Sequence, residues 1–216
     1  MRSGAVQTEK LAKEYTALAN TYDQRWSAYL DASLRMTMDV VKGLPAERVL
    51  DVACGTGQLL DIFAEQADHP ELVGVDLVPA MLDVARRRLG RRATLLECDA
   101  ARLPFDDAIF QLATCTSALH YFPDATAALQ EIRRVISPCG NLILTDWCGD
   151  YFWMRILNRA LPWTNHAHAH TFSTNEIEQC LTLAGFKVIS MTRKKIDWFW
   201  GLFTIHASVS DPSASQ

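Results

Sequence analysis

Hydrophobic and polar positions along this chain follow two periods that replace one another at short intervals. From Lys10 to Asp39 the residues Leu11, Tyr15, Leu18, Tyr22 and Trp26 recur every three or four positions, which predicts a helix with one buried face. Val49 to Val52 is a short buried strand, apolar apart from its Asp, and Leu59, Leu60, Ile62 and Phe63 return to helical spacing. Leu72 to Asp76 predicts a second strand. Pro79 then sits where a first helical turn tolerates it, and Met81, Leu82, Val84, Ala85 and Leu89 form the helix face. Thr94–Cys98 and Ile109–Thr114 predict strands three and four. Asp124–Ile136 predicts a helix with Ala125, Ala128, Leu129, Ile132, Val135 and Ile136 inward. A turn at Pro138-Cys139-Gly140 leads into a fifth strand, Asn141–Trp147. Residues 148–172 break the alternation. Thr174 is expected to cap a helix over Glu176–Ala184, with Glu176 at capping-box spacing from Ser173 and Gly185 ending it. Phe186–Met191 and Gly201–Val209 read as two closing strands, and Ser208–Gln216 as a polar tail that frays. Strands alternating with helices define an α/β chain.

The first strand runs into Asp51-Val52-Ala53-Cys54-Gly55-Thr56-Gly57, a glycine turn before a helix. Glycines without a Cβ let backbone approach a ligand, and the free N–H groups of a helix start favour an electron-rich group. A dinucleotide fingerprint needs a third glycine, where Leu60 stands, and a Walker loop needs Gly-Lys-Ser/Thr, which is absent. What remains is Asp-x-x-x-Gly-x-Gly, an acid beside a glycine turn, suited to a ligand with a cationic or amino group. Asp76 ends the second strand, 25 residues after Asp51. An acid in that place can accept hydrogen bonds from both ribose hydroxyls.

This stretch resembles motif I of the class I S-adenosylmethionine (SAM) dependent methyltransferases, and the resemblance extends from Ala19 to Trp147. Ala19-Asn20-Thr21-Tyr22-Asp23 is similar to the segment over the SAM pocket in the quinone-type members. Leu103-Pro104-Phe105 is the family's loop after strand three. Leu129 to Gly140 is similar to its helix–strand connection, with Cys139 in place of the usual Gly or Asp. The resemblance implies a Rossmann-like three-layer sandwich with a seven-stranded, mostly parallel sheet and a small helical cap. It implies a cofactor site of Tyr22, Asp51, Ala53, Gly55, Gly57, Asp76, Leu77, Met81, Asp99, Ala100 and Cys115. Within it Asp99 would meet the adenine amino group and Ala100 would back the ring.

Composition narrows the picture. The 216 residues suit one domain, with 10–40 as a helical cover and 148–172 as an acceptor-selecting cap. A net charge of −4 gives no general attraction to nucleic acid. Met1–Lys10 lacks the apolar core of a signal peptide, and no apolar run reaches membrane-spanning length. Six cysteines without a Cys-x-x-Cys pair read as reduced thiols, so a cytoplasmic location is expected. Arg86, Arg87, Arg88, Arg91 and Arg92 read as a solvated face complementing a helix dipole, with phosphate binding as the alternative.

Ligands of open α/β sheets bind at the carboxyl ends of the strands, which puts His120 near the reaction zone as a candidate general base. No orienting partner for it is visible in the sequence. His166, His168 and His170 alternate along one stretch, where structural or substrate contacts are favoured over metal and no metal is expected. Tyr15, Trp153 and His168 are the candidate acceptor contacts. The aromatic run Trp198, Phe199, Trp200 and Phe203 reads as core packing or a dimer face, with peripheral membrane contact as the alternative. Thr114-Cys115-Thr116-Ser117 replaces the Asn-Pro-Pro-Tyr motif of enzymes that methylate base or glutamine nitrogens. The expected reaction is methyl transfer to an O, N or C nucleophile of a small, partly apolar or aromatic molecule, by a monomer or homodimer. The rival is a SAM-binding regulator or partner subunit that transfers nothing. An NAD oxidoreductase is disfavoured by Leu60.

Overall fold

The computed structural model describes residues 2–44, 46–66, 70–160, 170–198 and 200–209. Three helices lead: α1 (Arg2–Leu18), α2 (Tyr22–Arg25) and α3 (Ser27–Val41). The alternation follows as β1 (Arg48–Val52), α4 (Gln58–Ala64), β2 (Glu71–Asp76), α5 (Pro79–Leu89), β3 (Thr94–Glu97), β4 (Phe110–Thr116), α6 (Ala125–Val135) and β5 (Ile136–Trp147). The chain closes with α7 (Phe152–Ala160), α8 (Thr174–Leu183), β6 (Phe186–Lys195) and β7 (Gly201–Val209).

The seven strands form one sheet in the order β3-β2-β1-β4-β5-β7-β6. The first five of these are mutually parallel, and β7 pairs antiparallel with both β5 and β6. Alternate strand residues face opposite layers. Val49, Leu72, Leu112 and Ile143 pack against Leu30 and Leu34 of α3, Phe63 of α4 and Leu82 and Leu89 of α5. Leu50, Val75, Cys115, Leu144 and Ile205 pack against Leu129 and Ile132 of α6 and Ile177 and Leu181 of α8. The three layers and the mostly parallel sheet are those the sequence predicts.

Boundaries differ where side chains compete with the backbone. The single helix expected over Lys10–Asp39 is broken at Asn20-Thr21, where the Thr21 N–H and hydroxyl both turn back to the Leu18 carbonyl at 2.9 and 3.3 Å. The turn expected at 138–140 lies within β5 as an irregularity: the register against β4 slips between Phe110 and Leu112, and Cys139 takes φ +61°. Ser173, not Thr174, caps α8, in a reciprocal capping box with Glu176. Trp163, His166 and His168, with Phe199 and the tail 210–216, lie outside the described residues.

Candidate active site

The carboxyl ends of β1, β2, β3 and β4 open into a cleft of about 680 Å³. Its floor is the glycine loop. Ala53 leaves β1 with φ +57° and Ser117 leaves β4 with φ +61°, and both line the cleft. Two non-glycine residues in the left-handed region beside one cavity mark backbone held in place by its surroundings. Gly55 takes φ +54° and also lines the cleft. Gly57 has a different task. A Cβ there would sit 2.9 Å from Leu89 and 3.0 Å from Ala85, so this glycine lets α5 close against the loop.

Asp76 ties the two loops of the floor together. It is buried, and its Oδ2 accepts from the Gly55 N–H at 2.8 Å while Oδ1 accepts from the Val78 N–H at 2.8 Å. Burial raises its carboxyl above the ordinary carboxylate range, and the N–H groups of Val78, Gly55 and Leu77 oppose the shift. A carboxylate has about four acceptor positions, so these bonds leave acceptor capacity on a side chain that lines the cleft. Asp99 and Ala100 line the cleft after β3, with Leu77 and Met81 between.

The roof is aromatic and comes from the N-terminal helices. Tyr15 and Tyr22 line the cleft with ring centroids 5.7 Å apart, and Tyr121 closes on Tyr15 at 5.5 Å. Burial raises all three phenols above their ordinary value, so they stay neutral at physiological pH. The roof is latched to α5. Arg88 donates to Asp23 at 2.5 Å and to the Thr56 carbonyl at 2.6 Å, the Thr56 hydroxyl donates to Asp23 at 2.7 Å, and Arg87 donates to Asn20 at 2.9 Å. Burial alone would raise the Asp23 carboxyl, but hydrogen bonds from Arg88, Thr56 and Gln58 hold it below its ordinary value. The arginine run is therefore more than a solvated face: Arg86 pairs with Asp83 and Arg92 with Asp61, while Arg87 and Arg88 fasten the cover to the loop.

Of the residues expected to bind cofactor, the cleft brings together Tyr22, Ala53, Gly55, Asp76, Leu77, Met81, Asp99 and Ala100, and of the acceptor candidates Tyr15. Asp51, Gly57 and Cys115 are not among the residues that line the cleft. Cys115 faces the α6 side of the core because Thr116, one residue on, takes the cleft-facing side of the strand end. Asp51 is buried beneath the loop and accepts from the Thr114 hydroxyl at 2.7 Å. Trp153 lies on α7 away from the cleft lining, against Phe152 and Trp198. The sequence reading missed Leu11 and Ala12 of α1, Thr116 at the end of β4, and Ala118 and Tyr121 after it, all of which line the cleft. For the β4 group the signal was present: they follow directly from a strand end.

Burial pushes the Asp51 carboxyl up to about 7, with the charge of Asp76 adding to the shift. The unfolded carboxyl loses its proton near its ordinary value of 3.8, so between these values the folded state holds a proton that the unfolded state does not. Stability is then expected to fall as pH rises through this window, by at most ~1.4 kcal/mol per unit. Asp51→Asn should remove that slope and leave the ligand-free protein more stable than the parent above pH 7. Urea titrations at pH 5 and 8 measure this; an equal slope in the variant would assign it to another group.

His120 does not line the cleft. Its side chain is 2% exposed and its Nδ1 lies 2.5 Å from Oδ1 of Asp146, itself 1% exposed. A carboxylate only accepts, so this contact places the hydrogen on Nδ1. The ring stacks on Trp147 at 4.3 Å and meets Tyr121 at 4.1 Å. The orienting partner not visible in the sequence is thus Asp146, and Tyr121, which touches the imidazole, lines the cleft. Among the described residues no three of His, Cys, Asp or Glu gather as a metal-holding group, and all six cysteines are free thiols.

A mostly parallel sheet with acids at the ends of β1, β2 and β3 and a glycine loop after the first has the fold of solved SAM-dependent methyltransferases. One solved member, from Thermotoga maritima, superposes with a TM-score of 0.72 at 21% identity, covering 91% of this chain and 98% of that one. Residues 49–140 match the family described as a methyltransferase domain. Among curated proteins, a demethylmenaquinone methyltransferase of Deinococcus radiodurans is 44% identical over 103 residues, which is 46% of this chain and 43% of that one. A ubiquinone/menaquinone biosynthesis C-methyltransferase of Paraburkholderia phytofirmans is 34% identical over 147 residues, 64% of this chain and 60% of that one. The chain thus spans about half the length of the curated relatives it matches.

Proposed function

We propose that the chain is a SAM-dependent methyltransferase acting on a small, partly apolar aromatic acceptor. The observation that carries the reading is Asp76, a buried carboxyl at the end of β2 that is held by backbone N–H groups of the floor and lines the cleft. In this reading Asp76 holds the ribose hydroxyls, Asp99 the adenine amino group, and Ala100, Leu77 and Met81 flank the base. SAM supplies the activated methyl group. The faces of Tyr15 and Tyr22 suit a sulfonium cation, because an aromatic face attracts positive charge. The neutral phenols and the helical roof keep water from the reaction zone, and the protein acts by positioning rather than by acid–base chemistry of its own. His120 and Asp146 act as positioning residues that fix Tyr121 and Trp147.

The acceptor side is the end of the cleft at Thr116, Ser117 and Tyr121. Aromatic walls and relatives named for quinone methylation both favour a substituted aromatic ring as acceptor. A cytoplasmic site of action fits six free thiols. No helix of the described residues is long and apolar enough to cross a membrane, so contact with a lipid-dissolved acceptor would be peripheral. Calorimetry with SAM, S-adenosylhomocysteine and NAD, followed by mass spectrometry of quinol-type acceptors incubated with SAM, tests the reading. Tight binding of the first two and a mass gain of one methyl group are expected. NAD binding without SAM binding would overturn the cofactor; SAM binding with no methylated product from any aromatic acceptor would favour a binding protein.

A further inference from the structure

The structure carries a second aromatic surface outside the cleft. On α7, Met154 is fully buried and Asn158 is tied to the backbone of Thr171 through both amide atoms, at 2.7 and 2.9 Å, so one face of this helix is fixed to the body. The opposite face presents Phe152, Trp153 and Ile156, which are 68%, 41% and 43% exposed. Trp198, 69% exposed in the turn between β6 and β7, meets Trp153 at a ring distance of 5.7 Å and joins the two elements into one patch. Surface apolar residues scattered singly need no explanation, but four large ones gathered on a helix face and a turn that meets it do.

The rim of the patch is cationic. Arg155 and Arg159 are exposed on α7, whose sequence Phe152–Ala160 holds no carboxylate. Arg193, Lys194 and Lys195 end β6 beside it. Two acids close to it are already engaged, Asp150 by Arg193 and Thr174 and Asp197 by the Trp200 N–H. A local excess of positive charge thus stands on a chain whose net charge is −4.

From this juxtaposition we infer that the outer face of α7 and the β6–β7 turn dock the protein on an anionic lipid surface. Exposed Trp and Phe with arginines at their edge are the chemistry of a helix lying in a headgroup layer. A second copy of the chain fits less well. The exposed area of the four side chains is on the order of 500 Å², so pairing two such patches would bury about twice that, short of the ~1,200–2,000 Å² of a stable interface. The like-charged rims would also face each other.

The patch is continuous with the cleft. Trp200, in the same turn as Trp198, packs on Trp26, Tyr29 and Trp147 at ring distances of 5.9 to 6.0 Å. Trp147 donates to the Tyr29 hydroxyl at 2.8 Å, and Tyr29 donates to the hydroxyl of Ser117, which lines the cleft, at 2.7 Å. Docking there would bring the cleft to a membrane in which an apolar acceptor dissolves. Only this purpose of the docking surface rests on the acceptor reading above; the docking itself does not.

The test is cosedimentation of the full chain with phosphatidylcholine vesicles and with vesicles that also contain phosphatidylglycerol, at low and high salt. Binding to the anionic vesicles, weakened by salt, is expected. The exposed pair Trp153→Ser with Trp198→Ser, and separately Arg155→Glu with Arg159→Glu, should each weaken it at least about tenfold. No binding, equal binding to both vesicle types, or wild-type binding by both variants would overturn the inference. So would light scattering that finds a dimer which Trp153→Ser breaks. Calorimetry of SAM with the arginine variant, without vesicles, reads the cleft separately, so failure of the methyltransferase reading and failure of docking are distinct results.

Discussion

Asp146→Ala is expected to cost about 3–5 kcal/mol of folding stability, because it leaves several buried donors unmade at roughly 1–3 kcal/mol each. Three donors depend on this carboxylate: Nδ1 of His120 at 2.5 Å, the His120 N–H at 3.1 Å and the Trp147 N–H at 2.6 Å. The site is sealed from solvent, so water cannot easily replace the lost acceptor, and a buried donor left unmade carries its full desolvation cost. Asp146→Asn keeps the shape and one acceptor oxygen and should lie between the variant and the parent. Guanidinium titration followed by circular dichroism measures the loss. A cost below about 1 kcal/mol would mean the pair does not hold the β4–β5 end together. The companion His120→Gln separates positioning from proton transfer. A positioning residue lowers turnover without moving the pH profile of the rate; loss of a rise through the imidazole range would return His120 to the chemistry.

The second large effect concerns the cofactor. Asp76→Ala should weaken SAM binding by about 2–3 kcal/mol, or roughly 30- to 150-fold, the worth of charge-assisted hydrogen bonds to two hydroxyls. S-adenosylhomocysteine should lose the same factor, because the ribose contact does not sense the methyl group. The variant also releases the N–H groups of Gly55 and Val78, so a lower melting temperature accompanies the loss. Calorimetry with both ligands at a temperature where the variant is folded measures it. Unchanged affinity in a folded variant would remove Asp76 from the ribose site.

The floor of the cleft was legible because its residues are local to strand ends. Asp76, Asp99 and Gly55 each follow an apolar run by one or two positions, and period and punctuation are sequence properties. The side of the wall on which a residue stands was not legible at the same resolution. Cys115 and Thr116 differ by one position in β4, and only the strand's exact end decides which one meets the cleft. The His120–Asp146 pair spans 26 residues and exists because β4 and β5 run in register up to Thr116 and Thr145. Its signal was weak but real: Asp146 ends a buried strand, as Asp76 does. The latch of Arg87 and Arg88 onto Asn20 and Asp23 had none, since a charge run reads as solvent-facing until the fold brings a carboxylate to it.

The position of β7 bears on how the nascent chain matures. It is made after β6 yet lies inside it, between β6 and β5. While the ribosome is still adding residues up to Val209, the edge of β5 from Asn141 to Trp147 has no strand to pair with, and β6 has no neighbour in the sheet at all. An unpaired edge rich in Leu and Ile is a template for intermolecular pairing. The sheet therefore cannot be completed before Gly201–Val209 is available, and a chain truncated before Gly201 would expose the edge of β5 and leave β6 without a place.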